Sequence, residues 1–315
     1  MSALLSSSSE DHTSPSLLRV AFIGNSYTYF NDLPSMLSSM SLSFGKRLET
    51  EQLTVGGQTL AGHSVDARLL PLLSPAKHWD YVVLQDNSSI PGRAREEAFQ
   101  ESLSAMQRVF VPAIVKLAEK NPRLTVLLYE SWGHQNGSVY KDLLPAYPDF
   151  LTMSLKTSSG YQHYQSFLVG LLPPSVRVLV VPVGSAFRAV HSVESQLFGS
   201  LYVSDQFHPS RFGTYLSACV FLRAILRGGG DCVERRVPMP LELRSDEPTR
   251  TAFETDRSEK GGKKILKGEE STIRGITDEE MRALQLAADR ASDEEEERQR
   301  GLEGEPCSAA SGGDL

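Results

Sequence analysis

Four short runs of almost unbroken apolar residues recur along this chain, and they constrain its fold more than any other feature. They are residues 18–23, Tyr81-Val82-Val83-Leu84, residues 124–129 and residues 176–181. A run this short, apolar without alternation, suits a strand that is covered on both faces. A fifth segment, residues 47–55, is more amphipathic and ends at Gly56-Gly57. Helical patterns fill the intervals: 33–40, 64–73, 96–119, 150–172, and one opened by Pro209 that runs to Leu226. In the longest of these, Phe99, Leu103, Met106, Phe110, Ile114 and Leu117 recur at three- and four-residue steps and form one apolar face. Pro112 is expected to bend or split it, because proline lacks the amide hydrogen and crowds the preceding turn. Strands alternating with helices predict a three-layer α/β/α sandwich around a mostly five-stranded parallel sheet.

The expected organisation has five parts. Residues 1–16 read as a disordered N-terminus, and 17–230 as the main domain, closed by Gly228-Gly229-Gly230. Residues 231–271, polar with a lysine patch, read as a flexible insertion. Residues 272–291 hold a helix that returns to the domain: Thr277 and Glu280 have capping-box spacing, and Met281, Leu284, Leu286 and Ala288 supply apolar surface. Residues 292–315 read as a disordered acidic tail.

Charge and cysteine usage narrow the function. The 315 residues carry a formal net charge of -7, with 39 acidic and 32 basic side chains. Residues 251–315 hold 17 of the acidic and 10 of the basic ones, so the rest is balanced. No basic patch favours nucleic acid. Cys219, Cys232 and Cys307 are too far apart for a metal or disulfide framework and suit a reducing compartment. The serine-rich start has no basic head followed by an apolar run, and no segment reaches membrane-spanning length. A cytoplasmic protein with no membrane partner is expected, its oligomeric state left open. Neither a cofactor nor a metal site is indicated. Gly24-Asn25-Ser26 lacks the glycine series and lysine of a phosphate loop.

The chemistry-bearing residues lie where strands should end. Ser26 follows the first buried strand, and Gly24 lets the backbone turn sharply before it. A serine hydroxyl needs a neighbouring base. His208 in Asp205-Gln206-Phe207-His208-Pro209 is the candidate base, and Asp205 the group that orients it. The bland alternative is that Asp205 caps the following helix. Oxyanion donors would be the amide of Ser26, the amide of Gly57 after strand two, and the side chain of Asn87 after strand three. Turn roles for Gly57 and Asn87 are the alternative. Gln85, Trp132 and His134 are candidates to line the substrate cleft, Trp132 being equally readable as core.

These blocks together resemble the SGNH, or GDSL-like, hydrolase superfamily, and in particular its branch with a Gly-Asn-Ser-Tyr-Thr first block. Here that block is Gly24-Asn25-Ser26-Tyr27-Thr28. The second-block glycine falls on Gly57, the third-block asparagine on Asn87, and the last-block acid and histidine on Asp205 and His208. Pro209-Ser210, Gly213, Tyr215-Leu216 and the segment Leu284–Ala288 also match. The resemblance implies a flavodoxin-like strand order and a serine esterase that acts through an acyl-enzyme on small acyl esters, acetyl groups on carbohydrate among them. One departure is Gln85-Asp86-Asn87, where the superfamily has Gly-x-Asn. Gln85 is then an alternative donor, and Asp86 an unfavourable charge if it faces the site. Two other readings remain open at this stage: a glycan O-acyltransferase and a catalytically silent binding protein.

Overall fold

The computed structural model describes residues 16–193, 195–228 and 276–303. Most of the expected N-terminal segment, the insertion at 231–271, Cys232, Cys307 and the end of the tail lie outside the described residues.

Five strands form one parallel sheet in the order β2-β1-β3-β4-β5. They are β1 (Ser16–Gly24), β2 (Lys46–Thr54), β3 (Tyr81–Leu84), β4 (Thr125–Tyr129) and β5 (Arg177–Val181). β3 and β4 are buried along their whole length, as apolar runs without alternation require. Strand period two divides the core. Val20, Phe22, Val83 and Leu127 face one helical layer. Ala21, Ile23, Val82 and Leu128 face the other. The first layer holds α2 (Leu33–Leu42), α8 (Val183–Val193), α10 (Arg211–Gly228) and α11 (Asp278–Glu303), and the second is built mainly of α5 (Glu97–Ala105), α6 (Val111–Ala118) and α7 (Phe150–Val169). The molecule is a three-layer α/β/α sandwich.

Local chemistry explains most of the boundaries. Asp32 caps α2, accepting from the Ser35 N–H at 3.3 Å. Between α5 and α6 a π-helical segment, Met106–Phe110, absorbs the hydrogen bond that Pro112 cannot donate. The helix expected over 64–73 forms instead as α3 (Leu60–Ser64) and α4 (Leu69–Leu72). The Asp66 side chain captures the Arg68 N–H and guanidinium, which favours a turn over a continuous helix. α8 and α9 (Ser195–Ser200) were not expected from sequence.

The segment from 292, expected as a tail, is helical as far as Glu303. Ser292 and Glu295 are buried, Arg227 of α10 pairs with Asp293 and Glu296, and Arg298 donates to Gln165 of α7. The acidic run therefore has fixed cationic partners. At its start, the Thr277 N–H donates to Glu280 and the Glu280 N–H returns to Thr277 Oγ1. Leu284, Ala287, Ala288 and Ala291 are buried in the first core layer, and Arg223 of α10 meets Asp289 at 2.8 Å. Among the described residues, no helix is long and apolar enough to cross a membrane.

Candidate active site

Parallel strands place their carboxyl ends on one edge of the sheet, and the loops there collect the polar residues singled out by sequence. Ser26 is the first residue of the short helix α1 (Ser26–Tyr29), directly after β1, and is 7 % exposed. Asn25 is its N-cap and accepts from the Tyr27 N–H at 3.2 Å. Gly24 is obligatory here: a Cβ would lie 2.5 Å from both Gln85 Oε1 and Thr28 Oγ1. As the first helical residue, Ser26 has a backbone N–H with no intrahelical partner, and none is found among the described residues.

The loop after β2 turns through Gly57 at φ +70°, a conformation that favours glycine. Its N–H also has no partner among the described residues, while its carbonyl accepts from Asn87 Nδ2 at 2.8 Å. Asn87 Oδ1 accepts from the N–H and hydroxyl of Ser89. Asn87 therefore ties the second and third loops together and retains one amide hydrogen beyond the bond to Gly57.

The acid and the imidazole form a built pair. Asp205 Oδ2 lies 2.7 Å from His208 Nδ1, and Asp205 Oδ1 accepts the N–H groups of Phe207 and His208. Partial burial pushes this carboxyl upward, but the hydrogen bonds from the His208 ring and from the two amides outweigh it. Its pKa lies below the ordinary value. With Nδ1 engaged, Nε2 is the nitrogen left to meet a substrate or a hydroxyl. The His208 ring stacks on Phe30 at 4.2 Å and meets the edge of Tyr27 at 5.9 Å, so it is docked on the segment that carries Ser26. Asn31 adds a polar link, donating to Pro209 O at 3.0 Å and Thr214 Oγ1 at 2.9 Å from a left-handed backbone. Ser26 Oγ makes no hydrogen bond with a described residue.

The three candidates for the cleft lining are buried. Gln85 is fully buried behind the Ser26 turn, with its amide saturated by protein partners. Trp132 is fully buried between Tyr27 and Phe187, stacked on each at 4.3 and 4.4 Å, and donates to Phe207 O. His134 is buried, which lowers its pKa to about 4, the nearby His208 adding to the effect. Its Nδ1 accepts the Val139 N–H at 3.1 Å, so the neutral ring carries its proton on Nε2 and directs it at Ser88 Oγ, 3.3 Å away. A base must offer a lone pair to the hydroxyl it activates, so Ser88 and His134 are not a nucleophile–base pair. Asp86 is fully buried with its carboxylate engaged: it accepts from the Leu60 and Asn87 N–H groups and from Tyr164 Oη. Burial raises its pKa against those bonds.

Sequence reasoning missed Phe30, Asn31 and His63. Phe30 follows Tyr27 at helical spacing, a signal that the two aromatics share a face. Asn31 carried no signal, because its role depends on a left-handed backbone. His63 carries no motif of its own: it is buried, with a lowered pKa caused by burial, and its Nε2 contacts the Gly24 carbonyl at 2.8 Å.

No protein-family model matches this chain, and no curated protein matches it. Solved structures do. A DUF4886 family protein from Bacteroides uniformis is similar over 87% of this chain and 94% of that chain, with 15% sequence identity and a TM-score of 0.59. The acetylxylan esterase Axe2 from Geobacillus stearothermophilus is similar over 71% and 99%, with 17% identity and a TM-score of 0.40. The lipase Lip_vut3 from a goat rumen metagenome is similar over 66% and 96%, with 13% identity and a TM-score of 0.40. At 15% identity the likeness to the DUF4886 family protein is one of fold.

Proposed function

We propose that this protein is a serine esterase of the SGNH type, in the branch whose first block reads Gly-Asn-Ser-Tyr-Thr, with Ser26 as nucleophile, His208 as base and Asp205 as the group that orients it. One observation carries the reading: an Asp205–His208 pair, bonded at 2.7 Å through Nδ1, packs its imidazole against Phe30 and Tyr27 of the segment that carries Ser26. His208 Nε2 takes the Ser26 proton as Oγ attacks the ester carbonyl. The oxyanion is held by the N–H groups of Ser26 and Gly57 and by Asn87 Nδ2. The imidazolium, stabilised by Asp205, then gives its proton to the departing alcohol. Water, deprotonated by the same nitrogen, releases the acid and restores Ser26. Small acyl esters, acetyl groups on carbohydrate among them, are the substrate class that the motif resemblance implies.

Covalent labelling with a fluorescent organophosphonate, followed by peptide mass spectrometry, tests the assignment. The adduct should sit on Ser26, and Ser26→Ala should abolish both labelling and hydrolysis of a small acetate ester while the protein stays folded. An adduct on Ser88 or another serine would refute it.

A further inference from the structure

We propose that Gln85 is a positioning residue that sets the nucleophile turn against the oxyanion loops by acting through Asn25; this rests on the serine-esterase reading. Gln85 is the first residue after β3, and its side chain is fully buried. An amide side chain can accept two hydrogen bonds and donate two. All four are made: three go to the nucleophile turn and the fourth to the loop that leads into Asn87. Oε1 accepts the Asn25 N–H and the Thr28 hydroxyl, each at 2.9 Å. Nε2 donates to Asn25 Oδ1 at 2.8 Å and to the Asp86 carbonyl at 2.7 Å. Gly24 makes room: a Cβ there would stand 2.5 Å from Gln85 Oε1 and 3.2 Å from Gln85 Cβ. Gly24 and Gln85 thus form one complementary pair.

The consequence reaches the oxyanion donors through Asn25. Asn25 Oδ1 accepts from Tyr27 N–H and Gln85 Nε2, while its Nδ2 donates to the Gln58 carbonyl at 3.0 Å and the Asp86 carbonyl at 3.4 Å. Donation from Gln85 selects this orientation, because a flipped Asn25 amide would face two donors with a donor of its own. Gln58 follows Gly57, and the Asp86 carbonyl belongs to the peptide that leads into Asn87. The Gln85–Asn25 pair therefore holds the Ser26 turn, the Gly57 loop and the Asn87 loop in one frame. A displacement of about 1 Å in such a frame can cost on the order of 10²-fold in rate. Gln85 itself has no hydrogen left for substrate, so its effect is on turnover.

Gln85→Glu tests this against a merely structural plug of the same shape. The variant keeps the acceptor oxygen but, when ionised, turns a second acceptor toward Asn25 Oδ1 and the Asp86 carbonyl. When protonated, it restores one donor. Burial against two acceptors holds such a carboxyl above its ordinary range. The titratable groups facing this position are Asp86, with Tyr161 and Tyr164 of α7 beyond it, and His63 of α3 on the Gly24 carbonyl. They are common to both enzymes and largely cancel when variant is divided by wild type. The ratio of kcat, measured per folded molecule, should be about 0.1 at pH 5.5 and fall a further ~10-fold by pH 8.5, with KM changed less than about 3-fold. A ratio independent of pH, or a loss confined to KM, would overturn the proposal. Should Gln85→Glu not fold, Thr28→Val removes one donor to Oε1 at nearly constant shape. It should lower kcat by ~3–10-fold at unchanged KM, and an unchanged kcat would count against the proposal. Phosphonate labelling of the wild type is read separately: no adduct on Ser26 removes the underlying esterase reading, whereas labelled wild type with a pH-independent variant ratio removes only the role of Gln85.

Discussion

At the scale of single residues, the Asp205–His208 turn shows how much of a site can be built locally. Asp205 is both the turn-former, through Oδ1, and the imidazole's partner, through Oδ2. The sequence left a choice between a helix cap and a catalytic acid. The side chain instead caps its own turn, and that turn aims the second oxygen at the ring. Asn87 is less local, since its amide crosses to the Gly57 carbonyl. If its remaining hydrogen meets the oxyanion, Asn87→Ala should lower kcat by about 10²–10³-fold with little change in KM, because the bond strengthens as charge develops. Steady-state kinetics on one small acetate ester, with circular dichroism as a folding control, decides it. A fall in KM-dependent binding alone would assign Asn87 to loop structure.

At the scale of elements, α11 bears most directly on stability. It begins with a capping box, buries Leu284, Ala287, Ala288 and Ala291, and is tied to α10 by Arg223–Asp289 and the Arg227 pairs. The exposed ends of those ion pairs contribute little. The apolar face contributes more: Leu284 is fully buried, so Leu284→Ala should cost about 2–5 kcal/mol in urea unfolding. A cost near zero would mean that α11 rests on the domain without sharing its core. Amide exchange should be slow from 284 to 291 for the same reason, and much faster at Glu303 where the helix frays.

At the scale of the whole molecule, Glu130 joins layers that are distant in sequence. It follows β4, is almost fully buried, and meets Arg188 of α8 at 3.4 Å with Ser185 beside it. Burial raises its pKa from 4.5 to about 7, against the opposing charge of Arg188, with Glu295 of α11 adding to the rise. The folded protein therefore binds more protons at this site than the unfolded chain between those two values. Its stabilising contribution is complete below about pH 4.5 and is lost as pH rises through about 7. Glu130→Gln lacks this titration. The stability of wild type minus variant should decline on the order of 3 kcal/mol across that window and stay level above it. Urea midpoints for both proteins at several pH values provide the check, and a difference that is flat with pH would show that Glu130 titrates near its ordinary value.

The apolar runs determined four of the strands, and their alternation with helices the parallel sense and the three layers, because a strand covered on both faces is apolar along most of its length. Gly24, Gly57, Ser26 and the Asp205–His208 spacing were legible for a related reason: sharp turns and short-range pairs restrict residue type locally. The tertiary structure decided what depends on contacts across the chain. Trp132 and Gln85 each carry a polar group that suits a cleft, yet neighbours from distant segments enclose both. His134, expected in the cleft lining, is buried as well, and the Val139 amide sets its tautomer. The acidic run after 292 resembled a solvated tail because its arginine partner lies on α10, far away in sequence. Burial and proton placement belong to surroundings assembled from many segments, and no single stretch of residues encodes them.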